Sequence, residues 1–265
     1  MTTPQTILLL GATGRTGQRV LRQLLARGLR VRAIVRSAGR LPPDLAGHPG
    51  LTLVEASPLE LPDDDLRRLL RDSHAVVSCL GHVISLAGVF GPPRDLVTRA
   101  TMRVCRGIQA NAPAAPVRLV LMTSVSVHRA GAVDARRGAV ERALLWALRG
   151  LVPPARDNQR AADFLAEEIG PADASLEWVV VRPDTLLEGE VSPYALHEGL
   201  VNGIFSPGQT TMANVAHFMC ELVTDPTTWA RWRSTLPVIV DGAPLATSGG
   251  APGSRASPNS RAEVC

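Results

Sequence analysis

The sequence predicts an α/β fold in which helices flank a doubly wound parallel β-sheet, and three observations lead there. Short apolar runs of strand length recur along the chain, most of them continuous rather than alternating, as in strands buried on both faces. Amphipathic helical stretches separate these runs, so strand and helix alternate repeatedly. The 265 residues are 45% hydrophobic and 20% charged, which is enough apolar material for one large domain with a real core.

The elements follow in order. Residues 6–10 form an apolar first strand. Residues 17–27 place Val20, Leu21, Leu24 and Leu25 on one helical face with arginines opposite. Strands are expected over 31–35 and 51–54, and the helix 63–70 opens with three acids that suit its positive end. Strand 75–80, helix 96–110 and strand 117–122 continue the alternation, followed by helices over 138–148 and 158–169. Strand 178–181, helix 214–224 and strand 238–240 complete it, with right-handed crossovers. Residues 182–211 contain Pro193 and Pro207 and show no clear period, so they are expected to form an irregular substrate lid with a short helix. Residues 243–265, rich in Gly, Ser, Pro and Ala, have almost nothing to bury and are expected to be a disordered tail. The expected organisation is thus a single domain over 1–242 that includes the lid, then the tail.

Composition excludes several chemistries. All 28 basic residues are arginine, and the formal charge is +4. Without a lysine there can be no Schiff-base or pyridoxal-phosphate lysine, no phosphate-binding Walker lysine and no tyrosine–lysine catalytic pair. The arginines are scattered among acids and aromatics make up only 3%, which argues against a nucleic-acid partner. Cys79, Cys105, Cys220 and Cys265 lie far apart with no metal-ligand spacing, so no metal is expected and a reduced, cytoplasmic setting fits. No apolar run is long enough to span a bilayer, and the first residues lack the pattern of a signal peptide.

The strongest motif is Gly11, Ala12, Thr13, Gly14, Arg15, Thr16, Gly17, after an apolar strand and before an amphipathic helix. Glycines there permit a tight turn, let the backbone approach a pyrophosphate and allow close helix–strand packing, while free amides at the helix start attract the anion. This context predicts a Rossmann-type dinucleotide site. At the end of the second strand an acid would bind a ribose 2′-hydroxyl, whereas an arginine accommodates a 2′-phosphate. Arg36 stands there, with Arg15 in the turn and Arg40 just beyond, so NADP(H) is expected in preference to NAD(H).

The spacing Gly-x-x-Gly-x-x-Gly, with "AIVRS" ending the second strand, "VVSCLG" the fourth, "LVLMTSVS" the fifth and "WVVVRPDTL" the sixth, resembles the short-chain dehydrogenase/reductase superfamily. More narrowly, residues 6–240 resemble its atypical NmrA-like branch of NAD(P)-binding proteins and look close to flavin reductase and biliverdin reductase B-like members. The resemblance implies an adenine-holding aspartate after the third strand. Ala56 stands in that place, which passes adenine recognition to Ser57, to backbone groups or to nothing specific. Leu80 and Gly81 are expected to pass beneath the cofactor ribose. His82 is either a pocket-lining residue on the substrate side or a solvated loop histidine.

The larger branch of that superfamily uses a tyrosine as acid and a lysine beside it. Tyr194 is this chain's only tyrosine, and alignment of the helix sets Ala155 and Gln159 at the two positions. The remaining catalytic candidates are Ser124, which resembles the serine at the end of the superfamily's fifth strand, and His128, a titratable neighbour. Tyr194 is expected to line the substrate pocket from the lid, and Arg182 to pair with nearby acids. These residues suit an NADPH-dependent oxidoreductase that transfers hydride directly to a conjugated small molecule such as a flavin, quinone or enone. The alternatives are a non-catalytic redox sensor that contacts a protein partner, or a non-redox isomerase or cyclase.

Overall fold

The structure is a computed structural model that describes residues 5–81, 91–128, 138, 152–203 and 206–242. In chain order it runs β1 (Thr6–Leu10), α1 (Arg15–Ala26), β2 (Arg30–Val35), α2 (Pro43–Ala46), β3 (Leu51–Glu55), α3 (Asp63–Leu70) and β4 (Ser73–Ser78). Then come α4 (Leu96–Asn111), β5 (Val117–Met122), α5 (Pro153–Asp163), a π-helical turn over Phe164–Ile169, β6 (Leu176–Pro183), β7 (Thr185–Leu187), β8 (Tyr194–His197) and β9 (Gln209–Thr211). The last elements are α6 (Met212–Thr224), α7 (Pro226–Trp232) and β10 (Val238–Asp241).

The main sheet has strand order β3-β2-β1-β4-β5-β6-β10-β8. Every neighbouring pair is parallel except β10 with the edge strand β8. This is the expected doubly wound, Rossmann-type layout, and chain order reverses between β1 and β4, where such folds open a crevice at the carboxyl ends of the strands.

Alternation along each buried strand feeds two cores. Ile7 and Leu9 of β1, Ala75 and Val77 of β4 and Val179 and Val181 of β6 pack with Val20, Leu21 and Leu24 of α1 and with α6 on one face. Leu8, Leu10, Val76, Trp178 and Val180 point to the other face, against Leu66 and Leu70 of α3, Val104 and Ile108 of α4, and Ala161 and Ala162 of α5. A strand buried on both sides must be apolar at consecutive positions, which is why these runs read as continuous.

Two helix starts are tied by aspartates, one distant in sequence and one local. The first amides of α4 are satisfied by the buried carboxylate of Asp157 on α5, which accepts from Val97 N at 2.8 Å and Thr98 N at 2.9 Å. Asp225 caps α7 by accepting from Thr227 N and Thr228 N.

The segment 182–211 differs from expectation. No helix lies there among the described residues. Instead β7 pairs in parallel with β9, and β8 adds to the main sheet antiparallel to β10. Strands of three or four residues carry no readable period, and their partners lie far along the chain. The helix expected over 138–148, apart from Gly138, the expected tail 243–265, and His82 lie outside the described residues. Among the described residues no helix is long and apolar enough to cross a membrane.

Candidate functional site

The turn between β1 and α1 is compressed on two sides. Gly11 sits at φ +78°, and a Cβ on it would lie 2.5 Å from the carbonyl oxygen of Cys79 at the end of β4. A Cβ at Gly17 would lie 2.0 Å from the Gly11 oxygen. Only glycine lets strand, turn and helix approach this closely. The ladder of α1 begins with Gln18 N donating to Gly14 O, so the amides of Arg15, Thr16 and Gly17 have no intrahelical acceptor. No side chain caps that end. Free amides at the positive end of a helix favour an anion.

A crevice of about 160 Å³ opens beside this turn at the carboxyl edge of the sheet. It brings together Gly11, Thr13 and Gly14 from the turn, Arg36 and Arg40 after β2, Ser57 after β3, and Leu80 and Gly81 after β4. Every one of those residues was singled out by the sequence. Sequence reasoning missed the apolar lining from Ile34, Val35, Pro58, Cys79, Pro93 and Leu96. Residues 34 and 35 end a predicted strand, which was an available signal; Pro93 and Leu96 come from across the fold and had none.

Arg36 and Arg40 are exposed and hydrogen-bond to no side chain among the described residues. The nearby Glu55 carboxylate is engaged elsewhere, accepting from Ala38 N at 3.0 Å. Two guanidiniums at the rim of a crevice, neither neutralised by a carboxylate, form a receptor for a dianion. Ser57 Oγ accepts from Leu59 N at 3.3 Å, which shapes its own turn. Burial pushes the Cys79 thiol up, so it is no nucleophile near neutrality.

Other predicted residues fall differently. Thr16 and Gly17 are buried under the turn rather than lining the crevice. Arg15 turns away from it: its Nε donates to Glu188 Oε1 at 3.1 Å, and Arg19 holds the second oxygen of the same carboxylate. The hydrogen bond from Arg15, aided by the charge of Arg19, holds the Glu188 carboxyl below the usual carboxylate range. Glu188 lies 173 residues from Arg15, and nothing local in the sequence marks it.

Ser124 and His128 follow β5, the strand beside β4, at the same edge of the sheet. Ser124 Oγ pairs with Ser126 Oγ at 2.6 Å. His128 is half-buried and held by Gln159 of α5. Gln159 Oε1 accepts from His128 N at 3.1 Å and lies 2.7 Å from Nδ1, while its Nε2 donates to His128 O at 2.8 Å.

Tyr194 packs elsewhere, on the α6 face of the sheet. Its hydroxyl lies 2.9 Å from His217 Nδ1 and its ring meets Phe218, and it is not part of the crevice wall. Burial, with the charge of Glu221, pushes the phenol up to about 12, the wrong direction for a proton donor near neutrality. Arg182 is buried and donates to the carbonyls of Leu236, Val127 and Glu198. It therefore ties β6, the loop after β5 and the 182–211 segment together through backbone carbonyls.

A larger hollow of about 830 Å³ lies at the opposite, amino-terminal edge, lined among others by Arg30, Arg71 and His74. It has neither a glycine turn nor a helix start, so volume and chemistry point to different places, and the chemistry selects the smaller crevice. No cluster of three or more metal-ligating side chains occurs among the described residues.

Comparisons with known proteins bear on this geometry. A family model described as NAD(P)H-binding matches residues 11–226. An uncharacterized chloroplastic protein of Arabidopsis thaliana is 37% identical over 75 residues, a stretch covering 28% of this chain and 27% of that protein. Among solved structures, a short-chain dehydrogenase/reductase from Veillonella parvula in complex with NADP superposes with a TM-score of 0.63 at 15% identity, covering 90% of this chain and 95% of that one. The anaerobilin reductase ChuY from Escherichia coli O157:H7 gives 0.63 at 19% identity, covering 94% and 100%. The oxidoreductase ylbE from Lactococcus lactis gives 0.65 at 16% identity, covering 91% and 92%.

Proposed function

Since the chain belongs to the NAD(P)H-binding family, we propose that it is an NADPH-dependent reductase acting on a conjugated, electron-poor small molecule such as a flavin, quinone or enone. The observation that carries this reading is the crevice that joins an anion-attracting helix start to two uncompensated arginines. The fit to a dinucleotide rests on the turn, whose glycines leave no room for a side chain, and on a rim suited to a 2′-phosphate. Gly11, Thr13 and Gly14, with the free amides of the first helical turn, hold the diphosphate. Arg36 and Arg40 hold the 2′-phosphate, and Leu80 and Gly81 pass beneath the ribose.

When bound, the dinucleotide supplies a hydride at its nicotinamide end. The chain's contribution is orientation and polarisation. The crevice lies at the ends of β1 and β4, and β5 is the next strand of the sheet, so the acceptor is expected beside Ser124 and His128, which follow β5. The Ser124 hydroxyl is a hydrogen-bond donor for an acceptor oxygen or nitrogen. Gln159 occupies the place the larger branch gives to lysine, so no tyrosine–lysine pair takes part.

The reading is tested by stopped-flow absorbance of the NADPH band with a panel of flavins, quinones and enones. Oxidation of NADPH by at least one member, saturable in both partners and slowed in Ser124→Ala with unchanged NADPH affinity, is expected. Tight NADPH binding with no oxidation by any member would overturn the reductase in favour of a binding-only protein.

A further inference from the structure

Gln159 spends three of its hydrogen bonds on one residue. Its oxygen faces the backbone N–H and Nδ1 of His128, and its nitrogen faces the His128 carbonyl. The second amide proton goes to Asp163 Oδ1 at 2.8 Å, one turn along the same helix. This set fixes the amide's orientation, because a flip would set its NH₂ against the His128 N–H and its oxygen against both the His128 carbonyl and the Asp163 carboxylate. An amide oxygen only accepts, so at 2.7 Å the ring nitrogen Nδ1 must carry a proton. His128 then gains and loses its titrating proton at Nε2.

We propose that Gln159 is a positioning residue that locks His128 in the Nδ1–H tautomer, so that Nε2 delivers the proton that completes reduction of the acceptor. This role rests on the reductase reading above. The acceptor receives two electrons with the hydride. The Nε2–H bond of the imidazolium breaks and a new O–H or N–H bond forms on the acceptor. The ring is left neutral with Nδ1–H intact, and solvent returns a proton to Nε2. Charged and polar groups adjoin this clamp: Asp163 accepts from Gln159, Arg182 donates to the carbonyl of Val127, the residue before His128, and the Ser124 and Ser126 hydroxyls pair in the same loop. Asp163 is placed to polarise Gln159, while Asp157 is engaged at the start of α4.

The test pairs a spectroscopic readout with kinetics on the full chain. Nitrogen-15 NMR of histidine-labelled protein, at a pH where His128 is neutral, is expected to show a protonated Nδ1 and an unprotonated Nε2. In Gln159→Leu this tautomer preference is expected to be lost, with kcat for NADPH oxidation down about 100-fold, the scale of a general acid, and the KM for NADPH unchanged. Gln159→Glu retains an acceptor for Nδ1–H and should recover part of kcat, which also covers the case in which the leucine variant does not fold. A wild-type spectrum with the proton on Nε2 instead would overturn the proposal whatever the activity. A tautomer that shifts in Gln159→Leu without a change in kcat would overturn the proton role and leave the reductase standing. Failure of wild type to oxidise NADPH with any acceptor would overturn both.

Discussion

Replacement of Gly17 by alanine probes the glycine turn where the structure is least forgiving. The added Cβ would meet the Gly11 oxygen at 2.0 Å, the Gly11 carbonyl carbon at 2.8 Å and Ala12 Cα at 3.2 Å. All three are backbone, so no rotamer change relieves the clash. Gly11 cannot retreat either, because the Cys79 carbonyl at the end of β4 backs it. The helix start must move, by roughly an ångström, to restore ordinary contact. Overpacking of this kind costs about 1–3 kcal/mol, which for a chain of this size lowers Tm by roughly 2–12 °C. The larger consequence is for binding: two amide hydrogen bonds to a charged phosphate are worth about 1.5–3 kcal/mol each. Their loss weakens the dinucleotide more than about 100-fold. Gly28→Ala is the control. It strains the backbone instead, by forcing a side chain into a left-handed conformation, φ +74°, but meets nothing within 4 Å. It should lower Tm by a comparable amount and leave affinity intact. Thermal unfolding and calorimetric titration of both variants separate the two effects. A folded Gly17→Ala protein with wild-type affinity would refute the reasoning, as would an equal loss of affinity in Gly28→Ala.

Arg36→Ala should weaken NADPH by about 1.5–3 kcal/mol, the scale of a charge-assisted hydrogen bond, with little change for NADH; equal losses measured by calorimetry would remove the 2′-phosphate assignment. Asp157→Ala strips the first amides of α4 of a buried acceptor, and two orphaned donors at about 1–3 kcal/mol each predict a loss of about 2–6 kcal/mol in denaturant unfolding. A change under about 1 kcal/mol would show that water replaces the carboxylate. Burial alone would raise the Glu177 carboxyl, but the Trp229 indole N–H at 2.5 Å and the Arg233 guanidinium at 2.8 Å hold it below the usual carboxylate range. A carboxyl depressed in the folded state adds stability above its ordinary value of 4.5, and that stability is lost as pH falls through the folded value. Unfolding free energy should therefore fall less steeply below about pH 5 in Glu177→Gln than in wild type, and identical slopes would contradict the assignment.

What was legible in the sequence was what local chemistry encodes. The turn from Gly11 to Gly17 announces itself within seven residues, because the contacts that demand glycine are made by its own strand and helix. Arg36 and Arg40 follow the second strand directly, so their arrival at the crevice rim could be placed by counting. The buried strands were readable because both of their faces are apolar. The 182–211 segment was opaque because β8 depends on β10 and β7 on β9 for its existence. Arg15 was read as a phosphate ligand, but its partner Glu188 comes from that same segment and turns it aside. Tyr194 is expected at the pocket because it lies in the predicted lid, yet the antiparallel pairing of β8 directs its ring onto α6, against His217 and Phe218. Gln159 was legible as a lysine's absence, whereas its clamp on His128, 31 residues away, appears only in three dimensions.

The most direct test of the central claim is a crystal structure of the full chain with NADP⁺. The account predicts the diphosphate against the amides of residues 15–17 and the 2′-phosphate between Arg36 and Arg40. A nucleotide seated instead in the hollow bounded by Arg30, Arg71 and His74 at the opposite edge of the sheet, or no nucleotide bound at all, would contradict it.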